Sequence, residues 1–432
     1  MIGLGTGATA LAVHGASRRH RLRNLRPPVV AWGDSLTAGA GATAAASYPA
    51  VAQGLFAPRR TILNEGIGGQ TSTQIAARQG AVPIPVTLAA PIPMRLDRAW
   101  DFAEGLGGWQ SRAAANPPAV VRTEGNALVI EAVGTPQSGA QVWLGETLPA
   151  GTRCTLDFDI DMGGSGWVEV GLANAPSASH PTGDWAASAG FSVGGRRSLN
   201  LTVGSALSQT ANSILILAHT RVGTYRISNL TLTAHSTVAV PEKGVNVLVQ
   251  SGAFTGTIAG SIGGIAGVMS TDASGAWTFT RSVAGPVGTG TTGVFLPAKA
   301  ATLKDHTAWI WAGRNNFGAP SVVKADIAAM VAHLGHDRFL VGAVLPSAND
   351  TASGVQTIAT LNADLAAAYG ARFVDLVAAL QAAGTGADDA GDVAAGRIPR
   401  SLRSDAIHLN AAGYAVVATA MALADAALEE GA

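Results

Sequence analysis

A chain of 432 residues with 47% hydrophobic and only 13% charged side chains is too long for one ordinary core, so two or three domains are expected. The formal net charge is zero, which provides no global attraction to nucleic acid or to an anionic membrane. A single cysteine, Cys154, excludes an intrachain disulfide framework and reads as a buried structural thiol in strand-like sequence.

Residues 1–26 run from an apolar stretch, Met1 to Val13, into Arg18, Arg19, His20, Arg21, Arg23 and Arg26. A secretory signal places its positive charges first, so the reversed order argues against one. The segment reads as an N-terminal arm, either solvated or docking onto a larger assembly. No stretch is expected to be long and apolar enough to span a membrane.

Val29-Val30-Ala31-Trp32 reads as a buried parallel strand, and Gly33 is expected to let the chain turn sharply as it leaves the sheet. Ser35 then stands at the strand's carboxyl end, close to the start of a helix, where open α/β sheets bind ligands. A helix is expected from Tyr48 to Phe56 and a strand from Thr61 to Asn64. The run Glu65-Gly66-Ile67-Gly68-Gly69-Gln70-Thr71-Ser72 follows. It lacks the Gly-x-Gly-x-x-Gly spacing of a dinucleotide loop. It suits instead the close approach of a backbone N–H to a reacting atom. Thr71 to Gln79 reads as a helix.

From Val82 to about Pro297 the helical periodicity stops, and short alternating runs separated by turn residues take over. Residues 97–235 are read as a β-sandwich. Residues 82–96 and 236–300, Val/Thr/Ile-rich and too poor in apolar sequence to stand alone, are read as two parts of a smaller β domain around it. Trp109, Trp143, Trp167 and Trp185 are candidate sugar-stacking residues of the sandwich.

The β-α alternation resumes with a strand from Thr307 to Ala312, ending in Gly313-Arg314-Asn315-Asn316. A helix from Val322 to Leu334, a strand from Arg338 to Leu345, a helix from Gln356 to Tyr369, a strand from Arg372 to Asp375 and a closing helix from Ala411 to Leu428 are expected. Alternation on both sides of the insertion implies one parallel sheet covered on both faces. Asp405-Ala406-Ile407-His408 precedes the closing helix, and a carboxylate three residues before a histidine can hold its ring and tautomer. No His and carboxylate cluster has the spacing of a metal site.

Four blocks in order resemble the SGNH (GDSL) hydrolase superfamily: Gly33-Asp34-Ser35-Leu36, Asn64 to Ser72, Gly313-Arg314-Asn315-Asn316, and Asp405 with His408. The resemblance implies an α/β fold class. Its core would be a flavodoxin-like three-layer α/β/α hydrolase unit at 27–81 and 301–432, interrupted by the small β domain and a jelly-roll β-sandwich. It implies Ser35 as nucleophile, His408 as base and Asp405 as its orienting partner. The oxyanion hole would come from the Ser35 and Gly69 N–H groups and the Asn315 amide. No cofactor or metal is implied. Asn316 departs from the family pattern, which has aspartate there. A histidine base implies activity that rises with pH through the imidazole range.

The sandwich, from Trp100-Asp101-Phe102 to Leu232, resembles a carbohydrate-binding module. The split layout resembles the esterase domains of phage tail fibres and spikes. Together these imply a carbohydrate acetylesterase acting on acetylated bacterial surface polysaccharide, at an extracellular or virion surface. The N-terminal arm would meet a particle or spike anchor, and oligomers are allowed. The alternatives are a glycan-binding spike protein with a vestigial site, and a general lipolytic esterase.

Overall fold

The computed structural model describes residues 27–112, 115–163, 166–174, 185–250, 253–254 and 256–430. The expected N-terminal arm, residues 1–26, lies outside the described residues.

A five-stranded parallel sheet runs in the order Ile62–Gly66, Val29–Gly33, Thr307–Trp311, Phe339–Gly342 and Phe373–Val374. Its central strands are apolar on both faces because both faces are covered. Val29, Ala31 and Trp309 pack with Tyr48, Tyr414, Val417 and Met421. Val30, Trp32 and Ile310 pack with Ile75, Val323, Ile327, Ile358 and Leu361. The strand expected from Arg338 to Leu345 pairs only over Phe339–Gly342. Beyond it, the Val344 N–H donates to Asn362 Oδ1 at 2.9 Å and the Val344 carbonyl accepts from Asn362 Nδ2 at 2.9 Å, so a side chain replaces the next strand.

Between the two halves of that sheet the chain builds antiparallel structure. One sandwich sheet has the order Trp185–Phe191, Val168–Ala173, Thr210–His219, Ser138–Pro149, Gln110–Ser111. The other has Gly195–Thr202, Arg153–Asp161, Val222–His235, Ala127–Val133, Val120–Glu124, with Leu96–Trp100 also paired to Val222–His235. Alternate residues of both sheets meet in one core that includes Leu156, Phe158, Val170, Ile214, Tyr225 and Ile227. Cys154 lies within it, and burial pushes its thiol up to about 12, which keeps it inert.

A third antiparallel sheet of seven strands draws on sequence from both sides of the sandwich. Ile84–Thr87 lies in it between Thr292–Pro297 and Glu242–Lys243. Its core shares Ala77 with the helix Ser72–Gln79, so it is packed against the element that follows the glycine turn.

The expected α/β fold class is overturned. Among the described residues 38% are strand and 26% helix, and antiparallel sheets predominate, which makes a β-sandwich the better description. The physical reason is strand length. Val222–His235 has 14 residues and Ser138–Pro149 has 12, whereas no parallel strand exceeds 5. The flavodoxin-like three-layer label therefore does not class this chain. A second expectation also changes: the helix segment Ala411–Leu428 is long and apolar enough to cross a membrane by length and composition. Here it lays Tyr414, Val417, Ala418 and Met421 on the parallel sheet.

Candidate functional site

The geometry of the site begins with strand register. Gly33 is level with Gly66 on one side and with Trp311 on the other. Parallel strands that end level deliver the residues just beyond them to one edge. Ser35, the Gly68-Gly69 turn and Gly313 with Asn315 therefore gather at the same place. Gly33 serves close packing and not a sharp turn, because a Cβ there would lie 2.0 Å from Thr37 Oγ1 and 2.6 Å from the Trp311 carbonyl. Gly69 does require glycine's freedom, with φ at +76°.

Ser35 opens the short helix Ser35–Ala38, capped by Asp34, whose Oδ1 accepts the Leu36 N–H at 3.0 Å. His408 arrives from the other end of the chain on a tight turn. Asp405 Oδ1 accepts the N–H groups of Ile407 and His408, both at 2.7 Å. The same carboxylate's Oδ2 lies 2.7 Å from His408 Nδ1, and His408 Nε2 lies 3.0 Å from Ser35 Oγ. Partial burial opposes ionisation of Asp405, but the hydrogen bonds from His408 and Ile407 outweigh it and hold the carboxyl down at about 2. The aspartate is therefore charged at neutral pH.

The donor side is assembled from three loops. Asn315 Nδ2 donates to the Gln70 carbonyl at 2.9 Å and reaches Asp34 Oδ2 at 3.3 Å, so it sits between the neighbours of Ser35 and of Gly69. Among the described residues, the N–H groups of Ser35 and Gly69 meet no acceptor. Asn316, the departure from the family pattern, makes a reciprocal pair with Ser72. Its Oδ1 accepts the Ser72 N–H at 3.0 Å and its Nδ2 donates to Ser72 Oγ at 2.9 Å, while Ser72 Oγ donates to Asp326 at 2.5 Å. All five predicted site residues thus lie at one sheet edge.

Sequence reasoning missed the groups behind them: Asp34, Gln70, Arg78 and Asp326. A signal existed, since Gln74 and Arg78 stand four residues apart on one face of the helix Ser72–Gln79, and Gln70 precedes that helix at the same spacing. That spacing ordinarily marks a solvated face, yet here Gln70 and Arg78 are buried.

Burial pushes the Asp34 carboxyl up to about 6, against the opposing pull of the Leu36 N–H and of charge on His408 and Arg314. Below about pH 4 it is protonated folded or unfolded and contributes nothing. Between pH 4 and 6 the unfolded chain ionises first, so stability should fall as pH rises, by about 3 kcal/mol in all, and level off above pH 6. Urea unfolding across that range should show this slope in wild type and lose it in Asp34→Asn. An identical slope in both would remove Asp34 as its source.

Of the four candidate tryptophans, Trp109 is core, 2% exposed. The other three gather on the outer face of the five-stranded sandwich sheet. Trp143, 41% exposed, alternates with buried Val142 and Leu144. Trp185 packs on Ala173, Leu215 and Leu217, a cluster outside the sandwich core. The Trp167 ring lies 5.3 Å from that of His219, whose Nε2 is 2.8 Å from Glu169 Oε2. Among the described residues, no group of three or more His, Cys, Asp and Glu side chains could hold a metal ion.

No family model matches the chain, and no curated protein matches it. The solved structures it is similar to include carbohydrate-binding modules. One is a mutant carbohydrate binding module of family 29, at 14% identity over 32% of this chain and 92% of that one, with a TM-score of 0.25. Another is the apo form of BiXyn10A CBM1, at 13% identity over 33% of this chain and 98% of that one, with a TM-score of 0.23. An arabinose-bound α-L-arabinofuranosidase matches at 12% identity over 33% of this chain and 26% of its own length, with a TM-score of 0.25. At these scores the likeness carries no argument about function, which rests on the geometry of the site.

Proposed function

We propose that this chain is a serine esterase of the SGNH type that removes O-acetyl groups from a bacterial capsule or exopolysaccharide. One observation carries the reading: the His408 ring lies between Ser35 Oγ and Asp405 Oδ2, at 3.0 and 2.7 Å. In the proposed reaction Ser35 Oγ attacks the ester carbonyl carbon and passes its proton to His408 Nε2. The oxyanion is received by the Ser35 and Gly69 N–H groups and by the Asn315 amide, whose second N–H turns to it from the 3.3 Å contact with Asp34 Oδ2. Collapse breaks the ester bond, and the sugar hydroxyl leaves with the proton from His408. Water then attacks the acyl-serine with the same base, releasing acetate and restoring Ser35.

Asn315→Ala should lower kcat by about 10²–10³ with little change in KM, because its amide serves mainly the developing oxyanion. A change confined to KM, measured by steady-state kinetics on p-nitrophenyl acetate, would make Asn315 a substrate-binding residue instead.

The substrate class rests on the outer sheet face, where Trp143, Trp167 and Trp185 present aromatic surface suited to stacking on sugar rings. The same face supports a second reading, a glycan-binding spike or fibre protein whose serine site does not turn over. The setting that goes with either is an extracellular or particle surface. A chain-length series of p-nitrophenyl esters, run beside acetate release from acetylated polysaccharide, separates the readings. Acetate preference with release from polysaccharide supports deacetylation, preference for long acyl chains supports a lipolytic enzyme, and polysaccharide capture without turnover supports the binding protein.

A further inference from the structure

Gln70, fully buried, follows the exposed Gly69 and has a bonding partner for every polar group of its side chain. Its Oε1 accepts from Arg78 Nε at 2.6 Å, and its Nε2 donates to the carbonyls of Val247 at 3.0 Å and Val249 at 3.2 Å. Its own carbonyl receives the Asn315 amide at 2.9 Å. Four residues on, Gln74 Nε2 donates to the Asn246 carbonyl at 2.6 Å.

Arg78 extends this link to the nucleophile. It is buried, and its guanidinium also donates to the carbonyls of Gly33 at 3.1 Å and Glu65 at 3.0 Å, near the ends of the strands that lead to Ser35 and to Gly69. The ring of Trp32 lies under it at 5.7 Å. Residues 246–249 belong to the antiparallel insertion, where Val247 and Leu248 are buried in the core of the seven-stranded sheet. One residue therefore joins the glycine turn through its backbone, and through its side chain the arginine that spans two strand ends and a segment inserted into the sequence more than 170 residues later.

We infer that Gln70 is the positioning residue for the oxyanion donors, and that the insertion takes part in catalysis by clamping Gln70 through the carbonyls of residues 247 and 249. Gln70 touches no substrate in this scheme; it acts through Asn315 and the adjoining Gly69. The inference rests on the esterase reading for its catalytic part, whereas the mechanical link stands on the contacts alone.

Two variants dissect the clamp. Gln70→Glu keeps an acceptor for Arg78 but turns a carboxylate oxygen toward the two carbonyls, which severs the link to the insertion. Gln70→Met keeps most of the volume and severs both links. Hydrogen exchange measured on the full chain should speed up in peptides covering 66–74 and 313–317 in both variants and stay unchanged over 338–345. With p-nitrophenyl acetate, kcat should fall by about 10²-fold, as for a small misplacement of catalytic groups, with KM nearly unchanged. Unchanged exchange in the two site peptides, or a loss seen in KM alone, overturns the inference. A wild-type chain that neither cleaves the ester nor reacts with a fluorophosphonate, yet shows the exchange response, supports the clamp and overturns the esterase reading.

Discussion

Ser35→Ala should abolish ester hydrolysis while leaving the melting temperature unchanged. The side chain is half-buried, its Oγ meets His408 Nε2, and removing the hydroxyl opens no core volume. Loss of a nucleophile that acts as a unit with its base costs about 10⁶-fold in kcat in comparable triads, so the variant should read as inactive. A fluorophosphonate should label wild type once, at Ser35, and should leave the variant unlabelled, because the acyl-serine step is also the step the reagent mimics. Labelling at another residue, or undiminished turnover in the variant, would end the serine-esterase reading. Turnover absent from wild type as well would favour the glycan-binding alternative.

The approach of Ser35, Gly69 and Asn315 to one edge was legible because it depends on a local rule. Apolar runs such as Val29–Gly33 and Thr307–Trp311 mark strands buried on both faces, and level parallel strands send their following residues to the same side. The turn around Asp405 and His408 was legible for the same reason, since its hydrogen bonds join residues two and three apart.

Contacts between distant segments were not legible. Nothing in the pattern around Gln70 points to the carbonyls of residues 247 and 249, and Asn362 replacing a strand partner for Val344 is invisible in a helix of mostly small residues. The fold class failed for a different reason. Motifs weigh residues by chemistry, and the blocks that carry chemistry are short, whereas the sandwich strands that dominate the chain carry no motif. The helix segment Ala411–Leu428 shows the limit of composition, since one apolar run satisfies both a sheet-covering helix and a membrane-length test.

Excising the sandwich should separate small-ester activity from polysaccharide activity. Leu96 pairs with Ala234 and Asp97 with Thr233 in adjacent antiparallel strands, so the two ends of residues 97–235 leave neighbouring strands at the same level and a short Gly/Ser linker can join them. The flanks have their own anchors. Arg95 exchanges two backbone hydrogen bonds with Gly285, at 3.1 and 2.9 Å, and Ser236 Oγ donates to the Pro93 carbonyl. These bonds lie outside residues 97–235 and survive the excision, as does the clamp from residues 246–249 onto Gln70. Turnover of p-nitrophenyl acetate should therefore stay near wild type, since it needs only Ser35, His408 and the oxyanion donors. Acetate release from intact polysaccharide should fall by about 10²-fold, because a linked sugar-binding face raises the local concentration of glycan around the serine. Trp143→Ala in the full chain should reproduce part of that loss and leave the small ester untouched. If both activities fall together after excision, the sandwich supports the fold and does not target glycan. If the excised protein fails to fold, its core depends on the sandwich despite the paired ends.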